Sequence, residues 1–152
     1  MTKTKNDPAV ADALNTLLAD SFALYLKTKN YHWHVSGPHF RDYHLLFDEQ
    51  SAQILATTDL IAERVRKNGA QTLRSIGDVS RRQSIKDDDS TAVEADAMIK
   101  ALADDNRTLL AQLKETKAAA EADGDIATSG LVDGWVDETQ QRIWFLEATL
   151  GY

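Results

Sequence analysis

The sequence predicts an all-α fold: a four-helix bundle with a short extra helix in the connection between its second and third long helices. Three observations predict it. Apolar residues recur at helical spacing through four long segments. Gly37, Gly69 and Gly124 punctuate the joints between them. About twenty mixed polar residues separate the second segment from the third, enough for a crossover that sets those two helices parallel.

The first helix is expected from about Asp7 or Pro8 to His34, on Val10, Leu14, Leu17, Leu18, Leu24, Tyr25 and Tyr31, with Pro8 suited to a first turn. The second opens at Ser36-Gly37-Pro38, with Pro38 as its first helical residue, and runs to Lys67 or Asn68 before Gly69 stops it. Its apolar stripe is Phe40, Tyr43, Phe47, Ile54, Ile61 and Val65. Within the crossover, residues from about Ser75 to Gln83 form the short amphipathic piece. The third helix is expected to start at Thr91, because Thr91-Ala92-Val93-Glu94 has capping-box form, and to reach about Glu121 through Met98, Leu102, Leu109 and Leu113. The fourth carries Val132, Trp135, Val136, Ile143, Leu146 and Leu150, with Trp135 and Trp144 read as core aromatics. With no repeat or low-complexity tract, residues 1–152 read as one domain, with 1–8 a short polar arm.

Composition excludes several kinds of chemistry. There are no cysteines, hence no disulfides, thiolate metal sites or iron-sulfur clusters. No uninterrupted apolar run approaches the roughly 20 residues that span a bilayer, and the opening MTKTKNDPAV is polar, so neither a membrane helix nor a secretory signal is expected. A cytoplasmic location is the default, nucleoid-associated where DNA is bound. A net charge of −7 repels phosphate backbones and attracts cations.

Five metal-capable side chains stand out: His32, His44, Asp48, Asp59 and Glu63. At roughly 100° per residue, Asp48, Asp59 and Glu63 fall at about 40°, 60° and 100° round from His44, on one face of the second helix. At about 1.5 Å of rise per residue, however, Asp48 and Asp59 stand roughly 16 Å apart along the axis. Metal bonds to N and O ligands are only roughly 2 to 2.5 Å long. His32 precedes the tight turn and belongs beside His44 and Asp48. One chain thus offers a histidine-rich half-site and, two to three turns up, a carboxylate half-site. A two-fold axis near Gln53 would set each half-site of one copy against the other half-site of its partner. The competing reading is plain: charges at i, i+4 often form a solvated face, and histidines near a helix C-terminus often cap carbonyls.

The run YHWHVSGPHFRDYHLLFDEQ at 31–50, followed by TTDLIAER at 57–64, resembles the Dps family, the DNA-binding proteins from starved cells, which are miniature ferritins. The family pattern of a His-Trp pair, a second His twelve residues on, an Asp four later, an Asp eleven later and a Glu four after that is met at His32-Trp33, His44, Asp48, Asp59 and Glu63. The resemblance runs from about Leu14 to Leu150, including IWFLEA in the last helix. It implies a ferritin-like four-helix bundle whose short extra helix lies in the B–C crossover. No Glu is followed by His at the third position, so the Glu-x-x-His pattern of an intrasubunit di-iron centre is absent from the sequence.

The resemblance further implies iron oxidation at dimer-interface sites, with hydrogen peroxide preferred over dioxygen, and a ferric mineral stored in a cage of twelve subunits built from two-fold dimers, protecting against oxidative stress. Such a cage would carry twelve times −7, or −84, before ions bind. Asp59 and Glu63 would bind Fe(II) and Fe(III) most directly, His32 and His44 would come from the partner chain, and Asp48 would complete a second position. Zinc or other divalent metals suit the same donors. Trp33 is the site-neighbouring indole, while His34 and His39 match no family role. Glu121, Asp123 and Asp125 lie near where the family builds acidic pores for iron entry, although Gly130 stands where a further Asp is common.

DNA binding is expected to be weak or absent. The arm offers only Lys3 and Lys5, Asp7 offsets one of them, and almost no tail follows the last helix. The alternative function is a nucleoid-associated DNA-binding scaffold with little catalysis, which all five ligand positions argue against.

Overall fold

A computed structural model describes residues 7–152; Lys3 and Lys5, with the rest of the arm before Asp7, lie outside the described residues. Five helices follow in order: α1 (Pro8–His34), α2 (Phe40–Lys67), α3 (Ile76–Arg82), α4 (Ala95–Ala122) and α5 (Ile126–Thr149). The Asp7 carboxylate caps α1 by accepting from the Ala9 N–H at 2.9 Å, and Pro8 occupies the first turn, where a missing N–H costs nothing. Gly37, at φ +120°, reverses the chain. Pro38 remains in that turn rather than opening the helix, so α2 begins two residues later than its proline suggests, with His39 as N-cap. Both α2 and α4 end in the same hydrogen-bonded form. Ala70 N–H returns to the Val65 carbonyl past Gly69, and Asp125 N–H to the Ala120 carbonyl past Gly124. Gly69 at φ +83° and Gly124 at φ +69° supply the left-handed residue each closure requires.

The start of α4 differs from the capping-box expectation. Thr91 to Glu94 are not helical, and α4 begins at Ala95 with no side-chain cap. The preceding segment explains this. Tyr31 Oη donates to Asp88 Oδ2 at 2.6 Å and Asn30 Nδ2 to the Asp88 carbonyl at 2.9 Å, which pins residue 88 against α1. The chain must then cross back to the bundle before it can coil.

Pairs of contacts fix the directions. Lys27 meets Asp105 and Asp20 meets Gln112, so α4 runs antiparallel to α1. Tyr43 meets Asp96 and Asn68 meets Asp125, so α4 runs parallel to α2. The long crossover is what permits that arrangement. It is held to α1 by buried polar groups as well as by Ile85: the fully buried Asp20 carboxylate accepts from Ser84 N–H at 2.8 Å, Ile85 N–H at 2.9 Å and Ser84 Oγ at 2.6 Å.

By length and hydropathy α1 matches a membrane span, with a mean of 1.2 over 18 residues, an apolarity missed by counting uninterrupted runs. More than half of that window, 56 %, is buried, and Leu14, Leu17, Leu18 and Leu24 are core residues packed in the bundle. Trp135 is buried as expected, but Trp144 is exposed. Nine residues at about 100° each is half a turn past full rotations, so the two indoles face opposite ways and one core cannot take both.

Candidate metal centre

The C-terminal turn of α1 and the N-terminal turn of α2 meet at the Gly37 reversal, which brings His32 and His44 together. Their rings stack at 3.8 Å between centroids and 13° between planes, and Phe40 extends the stack at 5.0 Å from His44. Each ring is tied to the other residue's main chain. His32 Nδ1 lies 2.6 Å from the His44 carbonyl oxygen, and His44 Nδ1 lies 2.7 Å from the His32 carbonyl oxygen. A carbonyl only accepts, so both Nδ1 atoms carry the hydrogen. In a neutral imidazole so tied, Nε2 keeps its lone pair, the form in which imidazole binds a metal.

Asp48, one turn beyond His44, lies beside the pair, with Oδ1 3.8 Å from His32 Nε2. The same oxygen receives Lys29 Nζ at 2.6 Å. That hydrogen bond and the lysine's charge, joined by His32 and His44, hold the Asp48 carboxyl below the ordinary carboxylate range. Lys29 did not stand out in the sequence. Its signal was its place three residues before His32, on the same face of α1.

Asp59 and Glu63 lie farther along α2, exposed, and neither enters an ion pair among the described residues. Leu55 and Leu60, beside them on the helix, are also exposed, at 41 % and 46 %. Among the described residues no three metal-capable groups converge on one point within the chain. His32, His44 and Asp48 are thus brought together, and Asp59 and Glu63 are held apart from them on the same helix. Trp33 is exposed beside His32. His34 Nδ1 sits 2.8 Å from the Asn30 carbonyl one turn back, a helix-end contact, and His39 is the uncapped N-cap of α2.

The three acidic residues at the α4–α5 joint differ in freedom. Asp125 is buried: its carboxylate caps α5 by accepting from Thr128 N–H and Thr128 Oγ1, and it also accepts from Asn68 Nδ2. Burial acts to raise its pKa, yet those bonds and the Arg64 charge outweigh it and hold the carboxyl low. Asp123 Oδ2 accepts from the Asp7 N–H at 3.1 Å, and Glu121 is exposed, 3.6 Å from Lys117.

The ferritin-like domain family model matches residues 11–152. Imidazoles and carboxylates on the helices of such a bundle define the class: a ferritin-like metal-handling protein. A DNA protection during starvation protein of Brevibacillus brevis is 32% identical over 149 residues, covering 97% of this chain and 99% of that one. The crystal structure of a Dps protein from Bacillus brevis superposes with a TM-score of 0.92 at 30% identity, covering 98% and 99%. That of the Vibrio cholerae Dps protein, described as a member of a broad superfamily of ferritin-like diiron-carboxylate proteins, gives 0.90 at 26% identity, covering 99% of both chains. The chain belongs to the Dps family of ferritin-like proteins, and with that family goes an iron-binding, iron-storing and protective role.

Proposed function

We propose that this protein oxidises Fe(II) with hydrogen peroxide in preference to dioxygen, at sites shared between two copies, and stores the ferric product inside a dodecameric cage. Each site takes His32, His44 and Asp48 from one protomer and Asp59 and Glu63 from its partner. The observation that carries this reading is the reciprocal His32–His44 lock, which aims two Nε2 lone pairs beside a carboxylate without completing a coordination shell. The unpartnered carboxylates and exposed leucines farther along α2 offer the complementary half on an antiparallel second copy, with Gln53 near the two-fold axis.

Iron here is the substrate. Two Fe(II) ions each lose one electron, the O–O bond of one peroxide breaks, and two hydroxide ions form. The balance removes peroxide and ferrous iron together. Imidazole suits Fe(II), whereas the carboxylates of Asp59 and Glu63 favour the more highly charged Fe(III). Glu121, Asp123 and Asp125 stand at the proposed entry pore, with Asp125 contributing field rather than free oxygens. Zinc and other divalent ions compete at the same donors. DNA binding is weak or absent and the location cytoplasmic.

The decisive experiment mixes two inactive variants. A chain with His32→Ala and His44→Ala is co-assembled with one carrying Asp59→Ala and Glu63→Ala. In a two-chain site, random pairing makes half of the dimers mixed, and each mixed dimer regains one of its two sites, so roughly one quarter of the peroxide-driven oxidation returns. Full inactivity of the mixture, with both chains present in one assembly, overturns the shared site.

A further inference from the structure

Arg142 is only 4 % exposed, in the wall between α2 and α5. Its Nε donates to Asn106 Oδ1 at 2.8 Å, Nη1 to Gln53 Oε1 at 2.8 Å and Nη2 to Thr139 Oγ1 at 2.9 Å. All three acceptors are neutral. Among the described residues the guanidinium enters no salt bridge, and its nearest acidic influence is Glu138, one turn earlier on the same helix. A guanidinium offers five N–H donors, so two remain unused. Glu138, whose Oε2 is buried with no hydrogen-bond partner among the described residues, supplies the opposing charge, and burial still draws Arg142 down to about 10.

Arg142 also lines a groove of about 190 Å³, open to solvent, between α2 and α5. Its other lining residues are Glu49, Gln50, Gln53, Gln141 and Phe145. Gln50 is engaged, donating Nε2 to the Arg142 carbonyl at 3.2 Å. The amide nitrogens of Gln53 and Gln141 have no acceptor among the described residues. A groove with a buried cation hydrogen-bonded only to neutral acceptors, and with two free amide donors, presents the features that small anions require. Its size is below that of pockets for larger organic ligands, which favours a free oxyanion over one carrying a bulky ester group.

We propose that this groove binds a small tetrahedral oxyanion, inorganic phosphate being the representative, between the free N–H groups of Arg142 and the amides of Gln53 and Gln141. Exposed Glu49 at the rim opposes the anion and keeps affinity modest, on the order of millimolar. None of these residues is a candidate iron ligand, although Gln53 lies near the two-fold axis proposed above.

The test uses the intact, assembled protein stripped of iron by chelation, since ferric mineral itself adsorbs phosphate. Equilibrium dialysis against radiolabelled inorganic phosphate is expected to show saturable uptake approaching one phosphate per chain, with a saturable rise in Tm of about 3 °C beyond sodium chloride of equal ionic strength. Gln141→Glu places a second carboxylate at an exposed rim position without touching the Arg142 hydrogen bonds, and is expected to abolish both signals. Gln141→Ala is expected to weaken uptake severalfold. Uptake in Gln141→Glu equal to that of the unaltered protein, or no phosphate effect beyond that of chloride, overturns the proposal.

Discussion

Lys29 Nζ lies 2.6 Å from Asp48 Oδ1, on the one oxygen that also approaches His32 Nε2. On the site proposed above, this ammonium holds the position on that carboxylate that a second metal ion would take. Replacing it by an uncharged side chain, Lys29→Met, frees the Asp48 carboxylate and removes a like charge from the cation's path. Calorimetric titration of the assembled protein with Zn(II) is expected to show affinity rising by about tenfold, the scale on which groups bonded to metal ligands act. Unchanged or weaker binding refutes this role for Lys29.

Asp59→Asn and Glu63→Gln separate function from stability. Both side chains are exposed and unpaired among the described residues, so each change is expected to move folding stability by no more than about 0.5 kcal/mol. Peroxide-driven Fe(II) oxidation should nonetheless fall by at least roughly tenfold. Stopped-flow absorbance of the ferric product and thermal melts of the same samples check the pair. Loss of activity that tracks loss of Tm would mean the residues act through the fold.

Tyr31 and Asp88 tie the crossover to α1 with a pH-dependent bond. The phenol's hydrogen bond, then those from Ser90, lower Asp88 from its usual 3.8 to about 2, while burial and Asp88 raise Tyr31 above its usual 10. A depressed carboxylate pKa stabilises the fold above pH 3.8, and that contribution is lost as pH falls toward 2. A raised tyrosine pKa stabilises it below pH 10, with the contribution lost as pH climbs beyond that value. Tyr31→Phe is expected to cost about 1.5 to 3 kcal/mol at neutral pH, as for a hydrogen bond to a charged group. Denaturation curves at several pH values should show the gap between the two proteins narrowing toward both extremes; a gap constant with pH counts against the bond.

At the α4–α5 joint, Asp125→Ala removes a helix cap and is expected to lower stability by about 1 kcal/mol, whereas Asp125→Asn keeps an acceptor and should cost less. Glu121→Gln leaves every cap intact. If the joint lines an entry route, Glu121→Gln slows iron loading with Tm unchanged. Equal loading rates for Glu121→Gln and the unaltered protein exclude Glu121 from that route.

The extents of the long helices were legible because apolar period, proline and glycine agree on them; the proposed ligands rest on four residues spaced along α2, with His32 on α1, at distances that one chain cannot close. The start of α4 was not. A capping-box pattern at Thr91 is local, and the tie between Tyr31 and Asp88 that overrides it spans 57 positions. Lys29 escaped notice because its only mark in the sequence was its place three residues before His32, while its partner stands nineteen residues on. Trp144 was readable after all: half a turn separates it from Trp135, so burying one exposes the other.

The hairpin tip at His32 and His44 has a consequence for turnover. Because each ring is braced by a main-chain carbonyl of the opposite helix, the two nitrogens stay aimed whether or not an ion is bound. On the function proposed above, departure of one ion would then leave nothing to rebuild before the next arrives, and a cage filled ion by ion would need such a gatehouse that does not tire.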